Sequence, residues 1–131
     1  MFYLKYLLYN LKNKTINVNN YGNHFRDFTY IGDVVEMLVK MLRVKLKTIH
    51  DVFNICSNNP IPLMKMVRQL DFLYGKKCKI KKTKFVKVDV LKTHGDNTKI
   101  LKIIKKRNFV KLEDGLKNTF DWFKRYYLKK Y

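Results

Sequence analysis

The sequence predicts one domain of mixed α+β class, in which short strands alternate with helices. Apolar residues recur at helical spacing in five separate stretches, and short β-favouring runs lie between those stretches. Glycine, asparagine and proline mark the junctions between these segments. With 131 residues, of which 47% are hydrophobic, the chain has material for one packed core. We therefore treat residues 1–131 as a single domain.

The first thirty residues contain a helix, a strand and a tight turn. Apolar spacing predicts a helix over 2–12, and an alternating run predicts a strand over 16–18. The Tyr-Gly-Asn triplet at 21–23 predicts a turn, because glycine and asparagine tolerate a positive φ. Residues 25–31 then form a brief extended segment.

A second helix is predicted over 34–44, with Asp33 at its beginning. Asp33 is placed to accept hydrogen bonds from the free amides of the first turn, and Glu36, three residues later, completes a capping box. The apolar residues share one face, which predicts a buried stripe. The stripe consists of Val34, Val35, Leu38, Met41 and Leu42.

The remaining elements are two strand regions and three helices. An apolar, non-alternating run predicts a strand over 52–56 that is covered on both faces. A turn then leads to a helix over 61–74, which Gly75 ends. The extended and lysine-rich segment 77–90 predicts one or two edge strands. Two further helices are predicted over 96–105, capped by Asp96 or Asn97, and over 112–127.

The formal net charge of +19 is the strongest signal of the composition. Such a charge is typical of proteins that bind nucleic acid or acidic surfaces. However, the basic residues are mostly lysine and are spread along the chain, whereas base-reading surfaces favour arginine. Nucleic acid is therefore disfavoured as a partner. The alternative function is a basic, non-catalytic module that binds RNA or another polyanion through its densest lysine patch, Lys76, Lys77, Lys79, Lys81, Lys82 and Lys84.

Several classes of protein and site are not indicated. The sequence has no apolar run of transmembrane length and no secretory leader pattern, so we expect a cytoplasmic protein without a membrane partner. Cys56 and Cys78 are interpreted as free thiols, since neither disulfide nor metal-ligand spacing is present. The glycines are too widely separated for a phosphate-binding loop. Tyr126 and Lys130 match Tyr-x-x-x-Lys, but at a lysine-rich terminus we interpret this as a chance pair.

The segment from Asn17 to Asp33, with Arg26-Asp27-Phe28 at its centre, carries the clearest motif. It resembles the C-terminal half of nucleotide-sugar epimerases and dehydratases of the extended short-chain dehydrogenase/reductase superfamily, and is most similar to UDP-glucuronate 4-epimerases. The likeness continues in order along the chain. It includes Val52-Phe53-Asn54-Ile55 with Pro60 and Leu63, Asp89-Val90 with Thr93 and Asp96, and Leu112-Glu113-Asp114-Gly115-Leu116 with Trp122.

The resemblance implies that the chain is the C-terminal, substrate-binding portion of such an enzyme. In the family these residues follow the glycine-rich NAD site and the catalytic Tyr-x-x-x-Lys, so the Rossmann half is expected to be missing. The resemblance thus implies a chain that positions a UDP-sugar and does not catalyse epimerisation alone. It binds no cofactor itself, although the intact family uses NAD. Expected partners are a weakly bound UDP-sugar and either a separately encoded Rossmann half or a second copy of the chain. A split enzyme, a decayed gene and a shortened chain all remain open.

The resemblance also assigns the substrate-binding residues. The family's arginine of Arg-Asp-Phe binds the diphosphate, a role that falls here on Arg26 and suits a forked guanidinium. An ion pair between Arg26 and Asp27 is the structural alternative. Asn19 and Asn23 are expected beside the diphosphate as short polar residues. Asn19 stands where the family usually carries an aromatic over the uracil, and Val86 stands where it carries an arginine or glutamine. These departures indicate either relaxed selection or a different ligand.

Overall fold

The computed structural model of the chain describes residues 2–106 and 108–128. Helices and short strands alternate within these residues, which confirms the mixed α+β class. Lys130 of the Tyr-x-x-x-Lys pair lies outside them. The elements are α1 (Phe2–Leu11), β1 (Ile16–Val18), β2 (Phe25–Asp27), α2 (Ile31–Met41), β3 (Pro60–Pro62), α3 (Leu63–Tyr74), β4 (Ile80–Lys82), α4 (Thr98–Ile104) and α5 (Leu112–Tyr126).

The strands form two small sheets of two strands each. β1 pairs in parallel with β4, with Ile16 opposite Ile80. β2 pairs antiparallel with β3, with Arg26 opposite Ile61. The backbone of Phe25 is held on its other side as well, because its amide donates to the carbonyl of Leu91 at 2.9 Å. β2 therefore lies between two stretches of chain that are distant in sequence.

The first core is formed by α1, β1, α3 and α5. The apolar faces of these four elements pack against one another, and their side chains fill this core. Helical spacing in the sequence predicts one apolar face on α3 and one on α5, and both faces line this core: Leu63, Val67, Leu70 and Leu73 on α3, and Leu116, Phe120, Phe123 and Tyr127 at α5. The most deeply buried side chains of this core are Tyr6, Leu7, Ile16, Met66, Val67, Leu70 and Phe123.

The second core is smaller and lies between α2 and α4. Its buried residues are Met37, Ile100 and Ile104, with Phe53, Ile55 and Phe109 packed around them. The buried stripe predicted for α2 is wrong, because most of that stripe lies at the surface. Val35, Leu38 and Leu42 are exposed, Leu42 by 86%. Helical periodicity identified an apolar face correctly, but no element among the described residues covers it.

The capping box predicted at the start of α2 is also wrong. α2 begins at Ile31, two residues before Asp33, and Asp33 is buried. Its carboxylate accepts the amide of Val110 at 3.0 Å and pairs with the ammonium of Lys106 at 2.8 Å. Lys106 also contacts Glu36, at 2.5 Å. Both carboxylates therefore anchor the segment after α4 to α2.

The strand predicted over 52–56 is not formed. Residues 52–55 have no regular secondary structure and Cys56 lies in a bend, and none of the described residues pairs with them as a neighbouring strand. Phe53 and Ile55 turn inward to the second core, while Val52 is exposed. The segment is thus neither covered on both faces nor paired, and a strand requires a paired neighbour for its backbone groups.

The turn predicted before β2 is confirmed and is tighter than expected. Asn20, Tyr21 and Gly22 all have positive φ, of 47°, 53° and 89°. A Cβ on Gly22 would lie 2.7 Å from the sulfur of Met64, so the turn packs directly against α3. This packing fixes where the following residues, His24 to Asp27, enter the sheet. No helix of the described residues is long and apolar enough to cross a membrane.

Candidate functional site

A polar cavity lies at the point where α1, β1, β2 and the start of α3 meet. Its volume is about 540 Å³. The segment that follows β4 closes one side and contributes Asp89 and Thr93. The polar and charged residues that line it include Lys5, Asn17, Asn19, His24, Arg26, Asp27 and Asp89. Ligand-binding pockets combine convergent polar groups with an apolar lining, which Phe2, Val18, Phe28 and Leu63 contribute here.

Arg26 is one of the residues that line this cavity. Its Nη1 donates to the carbonyl oxygens of Phe25 and Leu91, at 2.8 Å and 3.3 Å, and its Nη2 lies 3.2 Å from Oδ1 of Asp89. These contacts use three of the five N–H donors of a guanidinium. The side chain is 25% exposed. Arg26 is therefore held in place while part of its fork faces the cavity.

Asp89 contacts several residues that line the cavity, and it was not predicted as a site residue. Its Oδ2 accepts from the side-chain amide of Asn19 at 3.1 Å, while its Oδ1 contacts Arg26. Asn19 in turn accepts from the hydroxyl of Thr83 at 2.9 Å. The structure thus brings two predicted residues, Asn19 and Arg26, together on one carboxylate.

Asn23, the third predicted residue, does not line the cavity. It is exposed and belongs to the turn before β2. Its amide donates to the carbonyl of Asn20 at 2.8 Å, and its own carbonyl accepts from the Asn20 side chain at 2.9 Å. Proximity to Arg26 in sequence therefore did not place Asn23 beside it.

Asp27 stabilises the surrounding loops and is not the ion-pair partner described for Arg26. Its carboxylate accepts from the hydroxyl of Ser57 and from the backbone amides of Asn58 and Gly95, each amide at 3.1 Å. Burial alone raises the pKa of this carboxyl, but the hydrogen bonds from Ser57 and the nearby amides outweigh burial and lower its pKa. The carboxylate of Asp27 thus links β2 to the two loops that contain Asn58 and Gly95.

His24 is the second site residue that sequence reasoning missed. It is 2% exposed and lines the cavity. Its Nε2 lies 3.3 Å from Oδ2 of Asp89, close enough for charge attraction. That approach is not aligned as a hydrogen bond, and neither ring nitrogen has a hydrogen-bond partner among the described residues. A single histidine two residues before Arg26 gave no periodic or spacing signal.

A second, mainly apolar cavity lies next to the first. Its volume is about 670 Å³, and it runs between the start of α2 and the exposed side of α5. The two cavities share Tyr3, Phe28 and Thr29. The apolar lining of the second cavity continues onto the uncovered face of α2 through Ile31 and Val34.

The lysine patch lies apart from both cavities. Lys76, Lys77 and Lys79 are exposed, as are Lys81 and Lys82 of β4. Within the described part of the chain β4 pairs only with β1, so its other edge faces solvent. This is the arrangement expected for a solvated, charge-protected edge strand. No group of three or more metal-ligating side chains is found among the described residues.

Comparison with curated proteins identifies relatives that are longer than this chain. No family model matches. An uncharacterised protein of Methanocaldococcus jannaschii is 35% identical over 123 residues, which cover 94% of this chain and 37% of that protein. UDP-glucuronate 4-epimerase of Thermodesulfobacterium geofontis is 32% identical over 112 residues, which cover 85% of this chain and 34% of that enzyme. The chain thus spans little more than a third of the length of these relatives.

Solved structures give the same result for the fold. UDP-glucuronic acid 4-epimerase from Bacillus cereus, in complex with UDP-glucuronic acid and NAD, matches with a TM-score of 0.85 and 27% identity over 97% of this chain and 40% of that chain. UDP-glucose 4-epimerase from Thermotoga maritima, with UDP-glucose, matches with a TM-score of 0.76 and 25% identity over 92% of this chain and 38% of that chain. In sequence and in fold, the chain belongs with the NAD-dependent nucleotide-sugar epimerases and dehydratases of the extended short-chain dehydrogenase/reductase superfamily, and it corresponds to their C-terminal portion.

Proposed function

We propose that this chain binds a UDP-sugar through its diphosphate in the cavity around Arg26 and positions it for a dinucleotide-binding half that this chain does not contain. The chain alone carries out no epimerisation. Hydride transfer requires NAD, which would be held by that other half, and the residues of this chain hold the substrate.

The observation that carries the proposal is that hydrogen bonds hold the Arg26 guanidinium in place. Three of its donors are fixed by Phe25, Leu91 and Asp89, and its backbone is paired within β2. A side chain fixed in this way loses little conformational freedom when it binds an anion. Arg26 lines a cavity of about 540 Å³, which lies within the usual range of small-molecule sites, and its side chain is 25% exposed.

The neighbouring groups support an anionic ligand of modest affinity. Lys5 adds a second positive charge to the lining, and Asn17 adds an amide. Asn19, in the position where the family carries an aromatic, is bound to Asp89 and Thr83 and offers no stacking face. Loss of such a face weakens nucleotide binding by roughly 1 kcal/mol. We therefore propose weak binding of the UDP-sugar.

The uncovered face of α2 supports the need for another half. Leu38 and Leu42 are exposed on this helix, and Ile31 connects the face to the apolar second cavity. Large contiguous apolar surfaces of this kind mark interaction sites. The matched relatives are more than twice as long as this chain, so a covering half of the required size exists in them.

Titration of UDP by NMR into the wild type and into Arg26→Ala tests the proposal. Removal of a charge-assisted hydrogen bond costs about 1.5–3 kcal/mol, which corresponds to a roughly 10- to 100-fold loss of affinity. Arg68→Ala is the matched control, since Arg68 is an exposed arginine of α3 outside the cavity.

The expected shifts lie at the cavity residues in the wild type and in Arg68→Ala, and are greatly reduced in Arg26→Ala. Equal shifts in all three proteins, or none in the wild type, would contradict the proposal. Conversion of UDP-glucuronate to UDP-galacturonate by the purified chain would contradict its non-catalytic part.

A further inference from the structure

His24 has a position that the binding of a diphosphate by Arg26 alone does not explain. The imidazole is 2% exposed, and it lines the cavity with Nε2 at 3.3 Å from Oδ2 of Asp89. Neither ring nitrogen has a hydrogen-bond partner among the described residues. A buried polar nitrogen without a hydrogen-bond partner is energetically unfavourable. Such a group therefore indicates another state of the protein in which that nitrogen forms a hydrogen bond.

Asp89 lies between the only two basic side chains that the structure describes in contact with it. Oδ1 contacts Arg26 at 3.2 Å, and Oδ2 lies 3.3 Å from His24. A diphosphate on Arg26 would bring further negative charge beside Asp89. The guanidinium of Arg26 would then contact both the Asp89 carboxylate and the diphosphate, two anions that repel each other.

We propose that binding of the diphosphate is coupled to uptake of one proton by His24, which then holds Asp89 while the remaining donors of Arg26 bind the ligand. This inference rests on the proposed function. The proton comes from solvent and is carried on the imidazole, whose Nε2–H then donates to Oδ2 of Asp89. His24 is thus a positioning residue, because it acts on the ligand through Asp89 and Arg26.

The charged groups around the cavity determine the sign of the effect. Arg26 of β2 and Lys5 of α1 oppose a positive charge on His24, whereas Asp89 and Asp27 favour it. In the free protein both kinds of group are present. The ligand adds only negative charge, and on binding Arg26 it offsets one of the two cations that oppose a charge on His24. The imidazolium is therefore favoured more in the complex than in the free protein.

Proton linkage then fixes the direction of the pH dependence. A group that titrates at higher pH in the complex strengthens binding at low pH, and the gain is lost as pH rises through the midpoint of the complex. Imidazole ordinarily titrates near pH 6.5. The affinity is therefore expected to be higher at pH 5.5 than at pH 8, by about tenfold if the midpoint rises by about one pH unit.

The test is an NMR titration of the histidine ring protons against pH, without ligand and with saturating UDP-glucose. Both phosphates of UDP-glucose are esterified, so the probe itself does not titrate in this range. We expect the midpoint of His24 to rise with UDP-glucose. His94 and His50 serve as internal controls, since both are exposed and lie outside the cavity.

Two variants assign the effect. His24→Gln should make the dissociation constant of UDP-glucose independent of pH between 5.5 and 8, and His94→Gln should leave its pH dependence intact. Asp89→Asn, which removes the carboxylate but keeps the side-chain shape, should also remove the rise of the His24 midpoint. It provides a second readout if His24→Gln does not fold.

Each alternative result overturns a defined statement. Backbone shifts that show binding of UDP-glucose without a rise in the His24 midpoint overturn the proton coupling and leave the proposed function intact. A pH dependence that persists in His24→Gln overturns the role of His24. Absence of any UDP-glucose-induced shift from pH 5.5 to pH 8 overturns both.

Discussion

The two cores of this chain differ in how completely the chain covers them. In the first core, α3 and α5 turn their apolar faces toward each other, and α1 and β1 close the remaining sides. In the second core, α2 meets α4 along one side only, and the rest of its apolar surface faces outward. The first region therefore has what it needs for stability within the chain. The second region leaves apolar surface of α2 uncovered by the described residues.

The position of the cavity around Arg26 reflects the same difference between the two cores. Its walls come from α1, β1 and β2 beside the first core, so its polar groups are held by a well-packed support. The apolar second cavity lies where the uncovered surface of α2 begins. The cavity thus has a packed support within the chain, even though the apolar surface of α2 remains uncovered by the described residues.

The largest expected effect is a truncation in the first core. Phe123 is fully buried and stacks on Tyr127, with ring centroids 5.1 Å apart. Phe123→Ala should lower the free energy of unfolding by about 3–5 kcal/mol, because a cavity remains where the ring was. Phe72→Ala is the matched control, since Phe72 is 79% exposed on α3, and should change stability by less than about 0.5 kcal/mol. Urea unfolding followed by circular dichroism measures both. Similar losses in the two variants would remove the contrast between core and surface.

The next effect concerns the ion cluster that attaches the second region. The ammonium of Lys106 lies between Asp33 and Glu36, and the side chains of Lys106 and Asp33 are each 4% exposed. Burial alone lowers the pKa of Lys106, but the hydrogen bonds with Asp33 and Glu36 outweigh burial and raise its pKa. Asp33→Asn leaves a buried cation with one partly exposed partner and should cost about 3 kcal/mol.

A surface ion pair gives the control for that variant. Lys65 and Glu113 are 3.0 Å apart, with side chains 49% and 42% exposed. Glu113→Gln should cost no more than about 1 kcal/mol. Equal costs for Asp33→Asn and Glu113→Gln in thermal unfolding would show that the cluster does not attach the second region as described.

The sequence predicted those elements whose partners are local or lie within the chain. α1, α3 and α5 follow from apolar spacing, and Gly75 ends α3 with a φ of 70° as expected. The stripe on α2 and the strand 52–56 were wrong about burial and pairing. Both patterns indicate an apolar surface that is more stable when it is buried. Neither pattern indicates whether another element of this chain buries that surface. The capping role of Asp33 was wrong because Lys106, far away in sequence, competes for its carboxylate.

The site shows the same limit. Arg26 was identified through a contiguous motif, and the structure places it in the lining of the cavity. Asp89 was quoted only as part of a family motif, and its contacts with Asn19 and Arg26 cross more than sixty positions of sequence. No local pattern in the sequence shows such contacts. Asn23 was selected for its nearness to Arg26 in sequence, but the tight turn leaves it exposed.

A pH-dependent effect is expected at Asp27, which links β2 to loops beside the second region. The pKa of its carboxyl is lowered in the folded chain, where hydrogen bonds from Ser57 and nearby amides outweigh burial. A lowered pKa contributes stability above the unfolded value of 3.8 that is lost as pH falls through the folded value. Unfolding of Asp27→Asn should therefore depend less steeply on pH between 5 and 3 than unfolding of the wild type. Asp114→Asn, an exposed carboxylate on α5, is the control, and an acid limb that is unchanged in Asp27→Asn would argue against this role.

The smallest effect on stability, and the sharpest test of the uncovered region, is expected on α2. Leu38 and Leu42 are 50% and 86% exposed, so the double variant Leu38→Glu/Leu42→Glu should change the free energy of unfolding by only about 0.5 kcal/mol. It should nevertheless reduce the binding of a hydrophobic dye and any self-association seen by sizing chromatography, because the charged side chains interrupt the apolar surface. Val88→Glu is the control, since Val88 is 89% exposed but lies away from α2, and it should leave both measurements unchanged. A wild type that binds no dye and elutes as a strict monomer would show that this face attracts no apolar partner, and the contrast between the two regions would then concern packing alone.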